Sequence, residues 1–225
     1  MKLPFIPYDP EATFQQTQRR LPHREQPGCT YFVTWRLADS VPLPLLTQWK
    51  AERAAFLQAH PKPWDAQLHQ AYRRQFEHRL ERWSDAGHGA CHLRRPDLRK
   101  VMTTALHHFN GERYDLVAFA VMPNHVHVLV RPYAGTEAES VDTRTPTDPP
   151  ALHLASLAGI LKSWKGYTAR ELNQRLNRRG TLWMDESFDH AVRSLAQLQR
   201  FQHYIAENPT QAGLNTTEAE VWPPK

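Results

Sequence analysis

The chain has 225 residues, enough for one domain with an ordinary core, and its 40% hydrophobic and 23% charged content is that of a soluble globular protein. A formal charge of +5, with 13 histidines besides, suits a polyanionic partner without requiring one. Cys29 and Cys91 are far apart and form no CxxC, which argues against a disulfide framework or zinc knuckle and for a reducing, cytoplasmic setting, and no apolar run approaches the roughly 18 residues of a membrane span.

Residues 1–28 are rich in proline and polar side chains, unlike a signal peptide, and are expected to form an extended arm ahead of a domain filling 29–214. TYFVTWRL (Thr30–Leu37) is β-branched and aromatic between turn formers, the composition of a strand. A helical pattern follows from Leu43 to Trp83, broken at Pro61–Pro63, and marks a helical insertion over about 43–88. A further helix is expected from Pro96, with proline in its first turn, to about Asn110-Gly111. LVAFAVM and HVLV read as adjacent strands joined at Pro123-Asn124. Residues 133–150 have almost no apolar content and read as a flexible loop. LHLASLAGILKSWKGYTARELNQRL is a long helix and TLWMDESF a short strand. A last helix should run from about Ser194 to Glu207 and close at Asn208-Pro209, leaving 215–225 as a short tail. The order predicts an α+β fold, a ferredoxin-like antiparallel sheet backed by helices, with the insertion after its first strand.

Two groups of residues carry chemistry. His125 and His127 in VMPNHVHVLV share one face of a strand, so both imidazoles can meet one metal ion. A chain this rich in histidine shows roughly one HxH by chance, and the pair reads equally as two histidines on a half-exposed strand. Tyr204 and Asn208 in QHYIAENPTQAGL stand one above the other on a helix face, a hydroxyl near an amide oxygen able to complete a metal site. They read also as a packing tyrosine and a helix terminator. His203 points about 100° away from Tyr204 on a helix and is not assigned as its base.

Taken together, MPNHVHVLV, LKSWKGYTAREL on a long helix, LW-x-x-x-x-F-D-H and YI-x-x-NP-x-x-AGL resemble, in order, the motifs of the REP-associated tyrosine transposases of the HUH single-tyrosine superfamily. The similarity runs from Thr30 to Leu214, and TYFVTWRL and HFNGERYDLVAFAVMPNHVHVLV resemble the family's first strand and central block. It implies a metal-dependent enzyme that cleaves and rejoins single-stranded or hairpin DNA of palindromic repeats. His125, His127 and Asn208 would hold Mg²⁺ or Mn²⁺, and Tyr204 would attack to form a 5′-phosphotyrosine. The resemblance further implies a monomer. The insertion is longer than in compact relatives.

For DNA contacts the sequence offers Arg94 and Arg95 with Arg99 and Lys100, Lys162 and Lys165 beside Trp164, Arg178-Arg179, and Arg36 on the first strand. Each basic group reads also as a solvated helix face. Trp35, Trp164 and Trp183 are expected in the core rather than as base platforms. The competing functions are a binding module of the same fold without catalysis, and a metallohydrolase in which water attacks.

Overall fold

The computed structural model describes residues 5–8, 15–18, 22–26, 28–133 and 156–223. Two short strands, β1 (Gln15–Gln18) and β2 (Pro22–Glu25), pair antiparallel, so the expected extended arm contains a hairpin. The main strands are β3 (Tyr31–Leu37), β4 (Tyr114–Val121), β5 (His125–Pro132), β6 (Trp183–Ala191) and β7 (Glu220–Trp222). They form one antiparallel sheet in the order β6-β3-β5-β4-β7. Leaving out β7, the first strand of the sheet lies between its fourth and third, with the second beyond, the order of a ferredoxin-like fold.

The helices between strands are α4 (Pro96–His108), after β3 and its insertion, and α5 (Leu157–Arg175), after β5. Pro96 opens α4, where its missing N–H would have had no partner anyway. Ser156 caps α5 by accepting from Gly159 N at 3.1 Å. Both helices pack on one face of the sheet: Leu98, Met102 and Leu106 from α4 and Ile160, Leu161 and Trp164 from α5 meet Val33, Trp35, Val126 and Val128. Trp35, Trp164 and Trp183 all lie in this core. Tyr114 is buried at its centre, accepting from Trp164 Nε1 at 3.0 Å and donating to Leu106 O at 2.8 Å.

The opposite face receives α6 (Leu195–Gln211), capped by Ser194. Alanines at 118 and 120 on β4 let this helix approach, and Leu198, Phe201, Tyr204 and Ile205 pack there with Phe32 and Leu129. Contrary to expectation, α6 does not stop at Asn208-Pro209. The proline removes one donor in the last turn, and the end closes beyond it through Ala212 N to Asn208 O at 3.0 Å and Leu214 N to Pro209 O at 2.9 Å. The expected tail is also structured: β7 adds to the free edge of β4 through Phe119–Val121.

The insertion consists of α1 (Leu43–Ala59) and a second helical run made of α2 (Ala66–Tyr72), a π-helical turn over Arg73–Glu77, and α3 (His78–Asp85). It has a core of its own, in which Trp49, Tyr72, Phe76 and Leu80 meet Met184 of β6. Residues 134–150 of the expected loop lie outside the described residues. Both cysteines are free and buried, and no helix among the described residues is long and apolar enough to cross a membrane.

Replacing Tyr114 by Phe strands two buried polar groups, Trp164 Nε1 and Leu106 O. The unfolding free energy, read from urea melts, is expected to fall by about 1–3 kcal/mol.

Candidate functional site

Side chains alternate along β3 and β5, so Val33, Trp35, Val126 and Val128 enter the core under α4 and α5 while Thr34, Arg36, His125 and His127 face α6. The register sets Thr34 opposite His127 and Arg36 opposite His125. Both imidazoles are fully buried and their Nε2 atoms face each other at 3.0 Å.

Each ring is fixed through its other nitrogen. Thr34 Oγ1 lies 2.7 Å from His127 Nδ1, and Asn124 Oδ1 lies 2.8 Å from His125 Nδ1. Asn124 cannot turn over without loss, because its Nδ2 donates to Ser84 O and His88 O at 3.0 and 3.1 Å. Its oxygen therefore accepts from His125 Nδ1–H, and the lone pair of His125 is at Nε2. Burial, then the Arg36 charge, holds His127 down to about 3 from its ordinary 6.5. Burial, then His127 and Arg36, lowers His125 as well. Two neutral imidazoles with ordered outer partners are what a metal ion requires of histidine.

Tyr204, half-buried on α6, sets its ring against His127 with centroids 5.3 Å apart and against Phe32 at 5.8 Å. Its hydroxyl donates to Glu81 Oε1 at 3.0 Å. Burial, then Glu81 and Asp85, pushes the phenol well above its ordinary value, while Arg36 opposes. One turn further along α6, Asn208 is 2% exposed, and its Oδ1 is buried with no hydrogen-bond partner among the described residues. An orphaned buried acceptor on this helix face is an available oxygen ligand.

α3 closes the site from the other side. Asp85 Oδ1 is 3.6 Å from His125 Nε2, and burial and Glu81 raise its carboxyl to about 6 against the pull of Arg36. Arg36 is 4% exposed and donates from Nε to Ser84 Oγ at 2.6 Å. Burial lowers its guanidinium, with Glu81, Tyr204 and Asp85 opposing. Next to the tyrosine is a cleft of about 250 Å³, bordered by Thr34, Arg36, Glu81, Phe188, His190 and Tyr204. Among the described residues, no three His, Cys, Asp or Glu side chains already surround one point, so any metal set here includes the Asn208 amide or moves a carboxylate.

The four expected site residues thus divide into a histidine pair with Tyr204 in ring contact, and Asn208 buried on the same helix as Tyr204. Glu81, Asp85, Asn124, Ser84 and Thr34 also belong to the site and were not anticipated. The signals that could have found them are the four-residue spacing of Glu77, Glu81 and Asp85, and an asparagine directly before the HxH.

The basic candidates are more dispersed. Arg36 faces the cleft rather than open solvent. Arg94 pairs with Glu218 at 3.4 Å and Arg95 with Asp97 at 2.8 Å, both exposed pairs of small energy. Arg178 donates to Thr181 O at 3.1 Å, and Arg179 is exposed. Arg95 and Arg178 both act on His92, so two groups distant in sequence share one end of the molecule. Leu93 N donates to Pro123 O at 3.0 Å, which sets that end beside the turn leading into His125. Lys165 donates to Met184 O at 2.6 Å, and Lys162 lies in a groove between α4 and α5 on the helix-covered side of the sheet. His203 is exposed.

No protein-family model matches the sequence, and no curated protein matches it either. Among solved structures the chain is similar to a REP-associated tyrosine transposase bound to a REP hairpin, at 14% identity over 90% of this chain and 77% of that one, with a TM-score of 0.41. It is also similar to a proposed transposase from Deinococcus radiodurans R1, at 17% identity over 80% of this chain and 89% of that one, with a TM-score of 0.31.

The histidines predict how stability follows pH. The folded state holds His127 neutral down to about 3 whereas the unfolded chain protonates it near 6.5. Between those values the unfolded state binds more protons, so this contribution is complete above 6.5 and is lost as pH falls. Urea melts from pH 7 to 4 should show a declining midpoint, with a shallower decline in His127→Asn.

Proposed function

We propose that this protein is a metal-dependent endonuclease and strand-transfer enzyme acting on single-stranded or hairpin DNA, with Tyr204 as its nucleophile. The observation that carries this reading is the packing of the Tyr204 ring on His127, whose Nε2 faces that of His125 at 3.0 Å beside an open cleft. A pair of structural histidines would need no phenol at the cleft mouth.

His125, His127 and Asn208 would hold the divalent ion, Mg²⁺ or Mn²⁺. The donor set fits: one imidazole has its lone pair fixed at Nε2, the other is a neutral ring, and a buried amide oxygen has no other partner. When bound, the ion would polarise the scissile phosphate and offset charge that develops on it. Tyr204 would attack phosphorus, forming a 5′-phosphotyrosine and releasing a 3′-hydroxyl. The phosphodiester energy is kept in that link, so a 3′-hydroxyl can later displace the tyrosine and rejoin a strand. His127 and Phe32, itself stacked on Phe201, hold the phenol in place, as a nucleophile near its target requires. The Arg36 guanidinium at the cleft is placed to receive a phosphate oxygen. Arg94, Arg95, Arg178 and Arg179, at the end of the sheet where β5 begins, would take the flanking backbone, while Lys162 and Lys165 lie on α5.

The test is a cleavage assay with end-labelled hairpin DNA and Mn²⁺ or Mg²⁺, resolved on a denaturing protein gel. The wild type should give a labelled covalent adduct that is absent in Tyr204→Phe and reduced at least 100-fold in His127→Ala, on the order expected for loss of metal assistance. Adduct formation by Tyr204→Phe would reject the nucleophile. Tight DNA binding with no adduct under any metal would leave a binding module.

A further inference from the structure

A tyrosine that attacks phosphorus must lose its proton to an acceptor within reach. An ordinary phenol, near 10, is protonated at neutral pH, and this one donates its hydrogen to Glu81. A phenolate formed in advance is therefore not available, and the proton has to leave as the bond to phosphorus forms.

Among the described residues, the groups round the hydroxyl leave one acceptor in hydrogen-bond contact. Arg36, from β3, is a cation with no lone pair to offer. His127, from β5, touches the tyrosine ring, but both its nitrogens are engaged, Nδ1 with Thr34 and Nε2 with His125. Asp85 is turned to His125 Nε2 at 3.6 Å. Glu77, Asp189 and His190 border the same cleft without a bond to the hydroxyl. Glu81 Oε1 accepts directly from Tyr204 Oη at 3.0 Å, within the 2.6–3.2 Å reach of a general base.

We propose that Glu81, carried into the site by the inserted helix α3, is the general base for Tyr204 and a catalytic residue. This rests on the reading of Tyr204 as nucleophile. In the forward step the Tyr204 proton passes to Glu81 Oε1 while an oxygen lone pair forms the Oη–P bond. The P–O3′ bond breaks, and the departing 3′-oxygen keeps its electron pair and takes a proton from water. In rejoining, a DNA 3′-hydroxyl gives its proton to water as it forms the new P–O3′ bond, the Oη–P bond breaks with its electron pair staying on Oη, and Glu81 returns its proton to the tyrosine. The helical insertion is then part of the active site, and a chain cut down to the sheet with α4, α5 and α6 would lack the base.

α3 is anchored well enough for the role. Ser84, one turn along, accepts from Arg36 Nε and its carbonyl accepts from Asn124 Nδ2, while Phe76 and Leu80 are buried in the insertion's core. The same helix is thus tied to the residue that fixes His125.

The experiment compares the full-length wild type with Glu81→Gln, Glu81→Asp and Tyr204→Phe in single-turnover adduct formation with a hairpin oligonucleotide and Mn²⁺. Rates are taken from pH 7 to 9.5. Gln keeps an oxygen to hold the phenol but cannot take its proton. Glu81→Gln is expected to be slower by about 10²–10³-fold at pH 7, with the gap narrowing as pH rises and hydroxide substitutes for the base. Glu81→Asp, which keeps a carboxylate on a shorter arm, should show a smaller loss with the wild-type pH dependence, and serves if Glu81→Gln does not fold. A wild-type adduct with equal rate and pH profile in Glu81→Gln overturns the base and leaves Tyr204 standing. A Glu81→Asp rate equal to that of a folded Glu81→Gln also overturns it. Absence of any wild-type adduct removes the nucleophile and the base with it.

Discussion

A slip of one residue between β3 and β5 would turn Thr34, Arg36, His125 and His127 into the core beneath α4 and α5, and bring Val33, Trp35, Val126 and Val128 to the site. Every later feature depends on that register. It is secured on the core side by large apolar groups, Trp35 against Trp164 and Trp183, which have no place under α6. On the site side, Thr34 lies directly across from His127 and bonds it. Hydrophobic burial thus selects the register, and the polar face follows from it at no separate structural cost.

Polar groups buried on that second face must still be satisfied, since an unpaired buried donor or acceptor costs about 1–3 kcal/mol. The chain meets this with a connected set: Thr34 to His127, His127 to His125, His125 to Asn124, Asn124 to Ser84, and Ser84 to Arg36. Arg36 in turn lies among Glu81, Asp85 and Tyr204, whose negative or potentially negative groups offset a guanidinium removed from water. Asn208 Oδ1 is buried with no hydrogen-bond partner among the described residues. A buried acceptor of this kind is more informative than another surface lysine would be.

The sheet and its covering helices were legible because each is written in a local pattern. The β-branched run of β3, the apolar runs of β4 and β5 around Pro123-Asn124, and the helical periodicity of α4 and α5 each specify an element and the face it buries. His125 and His127 were legible for the same reason, as a two-residue spacing on a strand. The site's other half was not. Glu81 and Asp85 sit on a helix whose sequence reads as amphipathic and solvated, and only the packing of Tyr72, Phe76 and Leu80 decides which way its acidic side points. Nor could a local rule foresee β7, three residues held by the free edge of β4, or the continuation of α6 past Pro209, where the tertiary packing of Ile205 and Asn208 outweighs one missing donor. Asn124 was read as a turn former, which it is, while its second role depends on two carbonyls brought near from the insertion.

Charge explains why the insertion and the sheet have to act together. Two neutral imidazoles and an amide bring no negative charge to a divalent ion, and the buried Arg36 beside them repels it. The compensating carboxylates, Glu81 and Asp85, both come from α3. Burial, and then these same carboxylates, raise the Tyr204 phenol, which stays protonated at neutral pH. The charge of this buried face is thus balanced across separate elements, and the helix that supplies the carboxylates sets the electrostatic state of Arg36 from the sheet and of Tyr204 from α6.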